Sequence, residues 1–269
     1  MPGMPRLLVL LALGASACSA TTPPVAGTTT ASASDPARSS APAAASAGAS
    51  AGPGAESSTS GNPAPGTAGG AAAVARTRPP ATGTYTYTQD GGITFGALEV
   101  PFDPTGTLVV SPPKNGVQKQ VREYSDDFTL TERLRFGGDR VTLLATATRF
   151  GGREYACSME EPMTLVALPL ETGDSWRSSS RCGRMKVTIR VSVEGTEVVT
   201  IGGSAVDTVV LHVLIDVVED DAEQHSDVTS WIAPEHSLAV RLDDYTTGKS
   251  GGVSFSIERV DELRSLTPA

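Results

Sequence analysis

From Thr82 to Val260 apolar and polar residues alternate with a period of two, the mark of strands with one buried and one wet face. Met185–Glu194 is the clearest case. Met185, Val187, Ile189, Val191 and Val193 fall on one face, and Lys186, Thr188, Arg190, Ser192 and Glu194 on the other. Leu130, Leu134 and Phe136 oppose Thr129, Thr131, Arg133 and Arg135, and Val253, Phe255 and Ile257 oppose Ser254, Ser256 and Glu258. Val209–Val218 is apolar on both faces apart from His212 and Asp216, which predicts a central strand.

Turn chemistry separates these runs: Asp90-Gly-Gly92, Asn115-Gly116, Gly137-Gly138-Asp139, Gly151-Gly152, Gly202-Gly203 and Gly248–Gly252. No window carries a helical period, although Asp261–Leu266 has room for one terminal helical turn. Many short strands at regular spacing predict an all-β domain over residues 82–269, a mainly antiparallel curved sheet closing into a half-barrel or barrel. Tyr85, Tyr87, Trp176, Trp231 and Phe255 all lie in strand runs, where they would line a core or a cavity.

The amino-terminal third is built differently. Residues 19–81 hold only eight residues other than Ala, Ser, Thr, Gly or Pro. Such a stretch buries too little apolar surface to offset its backbone entropy, so a disordered linker is expected. As a flexible coil it spans roughly 40–50 Å. Thr28–Thr30 and Ser57–Ser60 offer O-glycosylation sites on composition, with a bare spacer as the even alternative. Ahead of it, Arg6, the apolar run Leu7–Leu13 and the small residues Gly14–Ala17 have the layout of a secretory signal, expected over residues 1–17. The run is far shorter than the ~20 residues of a spanning helix. Ala15-Ser16-Ala17-Cys18 resembles the lipobox of bacterial lipoproteins, with Ala15 where Leu is commoner. The resemblance implies that Cys18 is diacylglycerol-modified and becomes the mature first residue. The protein would then sit exported on the outer face of the cell membrane, held there by its lipid. An ordinary cleaved signal with an incidental Cys is the alternative.

Charge narrows the function classes. Residues 82–269 carry 4 Lys and 13 Arg against 28 acids, a net charge of −11, which argues against nucleic acid and against docking on anionic head groups. With Cys18 lipidated, Cys157 and Cys182 remain as an even pair in a disulfide-permissive compartment. A bridge between them closes a loop of about 26 residues and contributes roughly 3 kcal/mol in the chain-entropy picture. No further ligands stand at zinc spacing around the pair, and it is not Cys-x-x-Cys, so a structural disulfide is expected.

The remaining chemistry is sparse. His212, His225 and His236 are scattered; His212 and Asp216 share a strand face, which reads as a solvated face before a metal site. Glu219-Asp-Asp-Ala-Glu223 reads as a charged hairpin tip. Ser111-Pro-Pro-Lys114 and Lys249-Ser-Gly251 echo motifs of serine β-lactamases, but the prolines spell a turn where a helix would have to begin. No catalytic residue, metal ligand or cofactor is assigned.

One longer resemblance remains. Leu168-Pro-Leu-Glu-Thr-Gly-Asp-Ser-Trp176, Val198–Val206 and Thr229-Ser-Trp231-Ile-Ala-Pro-Glu-His-Ser-Leu238 are similar to the strand pattern of exported β-proteins of the DUF3108 kind, over roughly residues 168–245. Ser237 stands where Gly is usual. The resemblance implies successive strands of a curved sheet and transfers no catalytic residue. Three functions stay open, in this order: a non-enzymatic, lipid-anchored envelope protein that binds an apolar or envelope ligand; a structural or protein-interaction module on a tether; and a hydrolase with an unrecognised site. The first predicts an apolar cavity open to solvent, the second an exposed apolar strip.

Overall fold

The computed structural model describes residues 77–269. The signal, Cys18 and the linker up to residue 76 lie outside the described residues. The strands are β1 (Gly83–Phe95), β2 (Leu98–Pro101), β3 (Thr105–Val110), β4 (Val117–Ser125), β5 (Phe128–Gly137), β6 (Arg140–Phe150), β7 (Arg153–Ala167), β8 (Ser175–Cys182), β9 (Met185–Ile201), β10 (Ser204–Glu219), β11 (Ala222–Ala233), β12 (Leu238–Ser250) and β13 (Val253–Leu263).

They form one antiparallel sheet, curled into a nearly closed barrel in the order β7-β6-β5-β4-β3-β1-β13-β12-β11-β10-β9-β8, with β2 attached to β1. Two meanders build it. One runs from β1 through β3 to β7, the other from β8 to β13, and a nine-pair ladder from Tyr87↔Leu263 to Phe95↔Phe255 joins them at β1 and β13.

At the other junction, β7 and β8 are clipped by side chains instead of a ladder. Against β6, the register of β7 jumps from Ser158, opposite Ala145, to Met163, opposite Leu143. The extra residues include Pro162, which has no N–H to donate. Across the seam the Glu161 amide donates to Ser180 Oγ (3.0 Å) and the Thr164 amide to Ser178 Oγ (3.0 Å). Cys157 and Cys182 are disulfide-bonded there, with their Cα atoms 5.6 Å apart.

The period-two runs read from the sequence are strands, with their apolar faces inward. Met185, Val187, Ile189, Val191 and Val193 are all at most 2% exposed. Four local expectations are corrected. Asp90-Gly-Gly92 is no turn: β1 runs straight through it, and the glycines admit neighbouring strands, since a Cβ on Gly91 would lie 1.9 Å from the Glu258 carbonyl oxygen. Asp261–Leu266 makes no helical turn, because β13 continues to Leu263 with Asp261 and Leu263 both inward. Val209–Val218 is central, paired on both sides, but only one of its faces is buried; Val218 is exposed and Val210 and Leu214 are half-buried. Thr77–Ala81, placed with the linker on composition, is fixed on the barrel. Thr77 donates its amide to Gly138 O (3.0 Å) and its hydroxyl to Arg140 O (3.0 Å), and the Pro80 carbonyl accepts from Gln118 Nε2 (3.1 Å).

Candidate functional site

At one end of the barrel the β5–β6 hairpin, the connection at residues 168–174 and the β11–β12 turn surround a solvent-open cavity of about 100 Å³. Its walls are apolar, chiefly Leu134, Phe136, Leu165, Leu170, Ile232 and Leu242, and its floor carries Gln120, Arg122 and Glu132. Thr77 sits at the rim, so the described chain enters the barrel beside the cavity mouth. The β11–β12 turn on that rim requires Ser237 at φ 54°, a left-handed conformation that favours glycine.

The floor opens onto a buried charged network. Arg122, Glu132, Asp244, Arg259 and Asp261 project inward from β4, β5, β12 and β13 at positions in phase with the apolar residues around them. Asp261 Oδ2 lies 3.3 Å from Arg122 Nη1 and 3.6 Å from Arg259 Nε, and Arg259 Nη2 lies 3.0 Å from Asp244 Oδ2. Each guanidinium also lies over a ring: Arg122 is 4.8 Å from the Tyr87 centroid, and Arg259 is 4.7 Å from that of Tyr124. Tyr87 donates its hydroxyl to the Ala239 carbonyl (2.9 Å).

Burial sets the ionisation here. It pushes the Tyr124 phenol up to about 12, with Arg259 and Arg122 opposing the shift. It pushes Asp244 up to about 7, against the pull of Arg259 and the Thr246 hydroxyl and with the help of Asp261. Asp244 Oδ1 is 2.8 Å from Thr246 Oγ1, which is 2.8 Å from Ser226 Oγ, which in turn accepts from Gln224 Nε2 (3.1 Å).

The outer surface gathers little. His212 and Asp216 do share a face, but each turns to the next strand instead of to the other. His212 Nε2 meets Asp227 Oδ1 (2.8 Å), and His225 Nδ1 meets Asp216 Oδ1 (2.8 Å), whose other oxygen takes Arg190 (2.7 Å). Among the described residues no group of three or more His, Cys, Asp or Glu is placed to hold a metal ion. Asp220–Asp221 forms the β10–β11 hairpin tip, where Arg184 bridges to Asp220 (3.2 Å) and Glu219 (3.5 Å). Lys114–Val117 is the tight turn its sequence spells, and Lys249–Gly251 lies at the β12–β13 hairpin. Trp231 is packed away from the cavity, donating to Glu197 Oε2 (2.7 Å) with Arg241 stacked on its ring at 4.6 Å.

The inward charges were missed in the sequence because the alternation there is read by its apolar members. Glu132 sits between Leu130 and Leu134, Asp244 between Leu242 and Thr246, and Arg259 and Asp261 between Ile257 and Leu263. A charge in phase with an apolar face was the available signal.

No family model matches the chain, so the DUF3108 resemblance gains no support there, and no curated protein matches it. Two solved structures do. The hypothetical lipoprotein YmcC from Escherichia coli K12 is 12% identical, with 69% of this chain and 85% of that one covered at a TM-score of 0.31. A protein from Bacteroides fragilis described as exported, with a YmcC-like fold, is 11% identical, with 71% and 98% covered at a TM-score of 0.33. Likeness at that level carries no statement about how this chain works.

Proposed function

We propose that the protein is a lipid-anchored envelope protein, held on the outer face of the membrane through Cys18, that binds a small apolar or amphipathic ligand at the open end of its barrel and performs no chemistry on it. The cavity is the observation that carries this reading: an apolar chamber with three polar groups at its floor has the lining of a small-molecule site, at a volume below the roughly 300–1,000 Å³ of drug-sized pockets. Its size restricts the occupant to a small molecule or one end of a longer chain. The alternative of a tethered interaction module draws less support, because the exposed large apolar residues Leu98, Val198, Val218, Tyr245, Val253 and Val260 are spread over five strands.

Anchoring is tested by Cys18→Ala, which should release the protein from the membrane fraction or stall its processing; unchanged partitioning would refute the anchor. Binding is tested on the full chain by calorimetry with benzene, an apolar probe small enough for a cavity of about 100 Å³. Wild type should bind about one equivalent, and Leu170→Trp, which fills the mouth, should weaken it about tenfold or more. Absence of binding, or equal binding by both, would remove the cavity from consideration.

A further inference from the structure

The charged network holds three carboxylates, Glu132, Asp244 and Asp261, against two guanidiniums, Arg122 and Arg259. All five residues are buried or nearly so. Asp244, Arg259 and Asp261 lie beneath the cavity floor with almost no exposed side-chain surface, and such a low-dielectric interior opposes uncompensated charge, so an excess anion there is neutralised by taking up a proton.

We propose that the barrel interior is a one-proton site and that Asp244 carries the proton. Asp261 is shared between both arginines, at 3.3 Å and 3.6 Å, whereas Asp244 meets only Arg259 among them. Asp244 also has the partner that suits both of its states. The Thr246 hydroxyl donates to Oδ1 when Asp244 is ionised; when it is an acid, its O–H donates to Thr246 Oγ1, which turns to Ser226. With the proton in place, two carboxylates balance two guanidiniums and the interior is neutral.

The other acids of the network are Asp261, drawn to both arginines, and Glu132, which faces Arg122. From β12 itself Asp244 meets Thr246, and from β13 Arg259 and Asp261. On β11 are Ser226 and Asp227, the latter exposed on the outer surface. Beyond the two arginines lie Tyr124, Tyr87 and Glu132, the phenols being held neutral by burial. The ordinary titration range of Asp lies near ~4, so the site adds a neutral-pH transition that its residue type would not supply.

The site shares Arg122 and Glu132 with the cavity floor, and its titration is read without added ligand. It is tested by carbon-13 NMR of the full chain labelled at the aspartate carboxyl, a signal to which the histidines do not contribute. One aspartate should titrate with its midpoint near pH 7. That transition should vanish in Asp244→Asn and move up in Thr246→Val, because the Thr246 hydroxyl serves both states but on balance lowers the pKa of Asp244. If Asp244→Asn does not fold, the Thr246→Val shift assigns the signal. All aspartates titrating below about pH 5, or a neutral midpoint indifferent to Thr246→Val, would overturn the proposal.

Discussion

β9 and β10 line the interior with Met185, Val187, Ile189, Val191 and Val193 against Leu211, Val213, Ile215 and Val217, and none of these side chains hydrogen-bonds through its end. Across the barrel, β4, β12 and β13 present Gln118, Gln120, Arg122 and Tyr124, then Asp244 and Thr246, then Arg259 and Asp261. Both walls are largely buried, but their stability has different origins. The aliphatic wall gains by removing apolar surface from water, a non-directional effect that does not depend on pH. The polar wall has given up the hydration of its charges and recovers it only while each charge keeps its partners. A side chain can be trimmed from the first wall at a cost set by its volume. Removing one from the second leaves other groups buried and uncompensated.

The largest expected effect comes from the shared acid. Asp261→Ala removes a partner from Arg122 and Arg259 together, and should cost about 3–5 kcal/mol in urea unfolding at pH 7. It should also flatten the pH dependence. In wild type the folded Asp244 holds a proton up to about pH 7 that the unfolded chain releases near its ordinary value of 3.8. The folded state therefore binds more protons in that window, and stability falls as pH rises from about 4 to about 7, then levels. Without Asp261 two carboxylates face two guanidiniums, Asp244 stays ionised, and the slope should disappear. A slope equal to wild type would show that the two acids do not share their counter-charges.

On the aliphatic wall, Leu211→Ala should cost about 3 kcal/mol, within the usual range of roughly 2–5, because Leu211 is fully buried in a rigid central strand. Its cost should be the same at pH 5 and pH 8. A pH-dependent loss would mean that the two walls are coupled through the interior and are not separate regions.

The sequence made the first wall legible and hid much of the second, and the reason is physical. Aliphatic residues at period two on β9 announce both the strand and its inward face, and the glycine-bearing hairpins at Asn115-Gly116, Gly137-Gly138, Gly151-Gly152, Gly202-Gly203 and Gly251-Gly252 set the order of the meander. The pairing of β1 with β13 is not local, and no pattern within either strand specifies it. Nor can Glu132 or Asp261 declare itself inward while its counter-charge lies on a distant strand. Arg122 and Asp261 are 139 residues apart. Gly91 and Gly92 misled for a related reason, since they serve a close approach between strands instead of a turn. The cavity depends on three connections meeting at one end, a property of the closed barrel that none of those segments carries alone.

The seam between β7 and β8 bounds the aliphatic wall on its other side and should give the smallest effect. Ser178 and Ser180 each replace one rung of a ladder, accepting from the Thr164 and Glu161 amides at 3.0 Å. A hydroxyl acceptor on a rotatable bond holds an amide less rigidly than a carbonyl fixed in a strand, and the sites are only part-buried, so water can replace it. Ser180→Ala should therefore cost about 0.5–1.5 kcal/mol, the net value of one such bond. The local effect should exceed the global one, with the Glu161 amide exchanging hydrogen faster while the amides of β9 and β10 keep their protection. Reducing the Cys157–Cys182 bridge in the same variant should extend the fast exchange along β8, because the bridge is then no longer there to hold the two edges together. Uniform loss of protection around the whole barrel would instead show that the seam opens only when everything does. The polar wall, the aliphatic wall and their junction would then form a single cooperative unit.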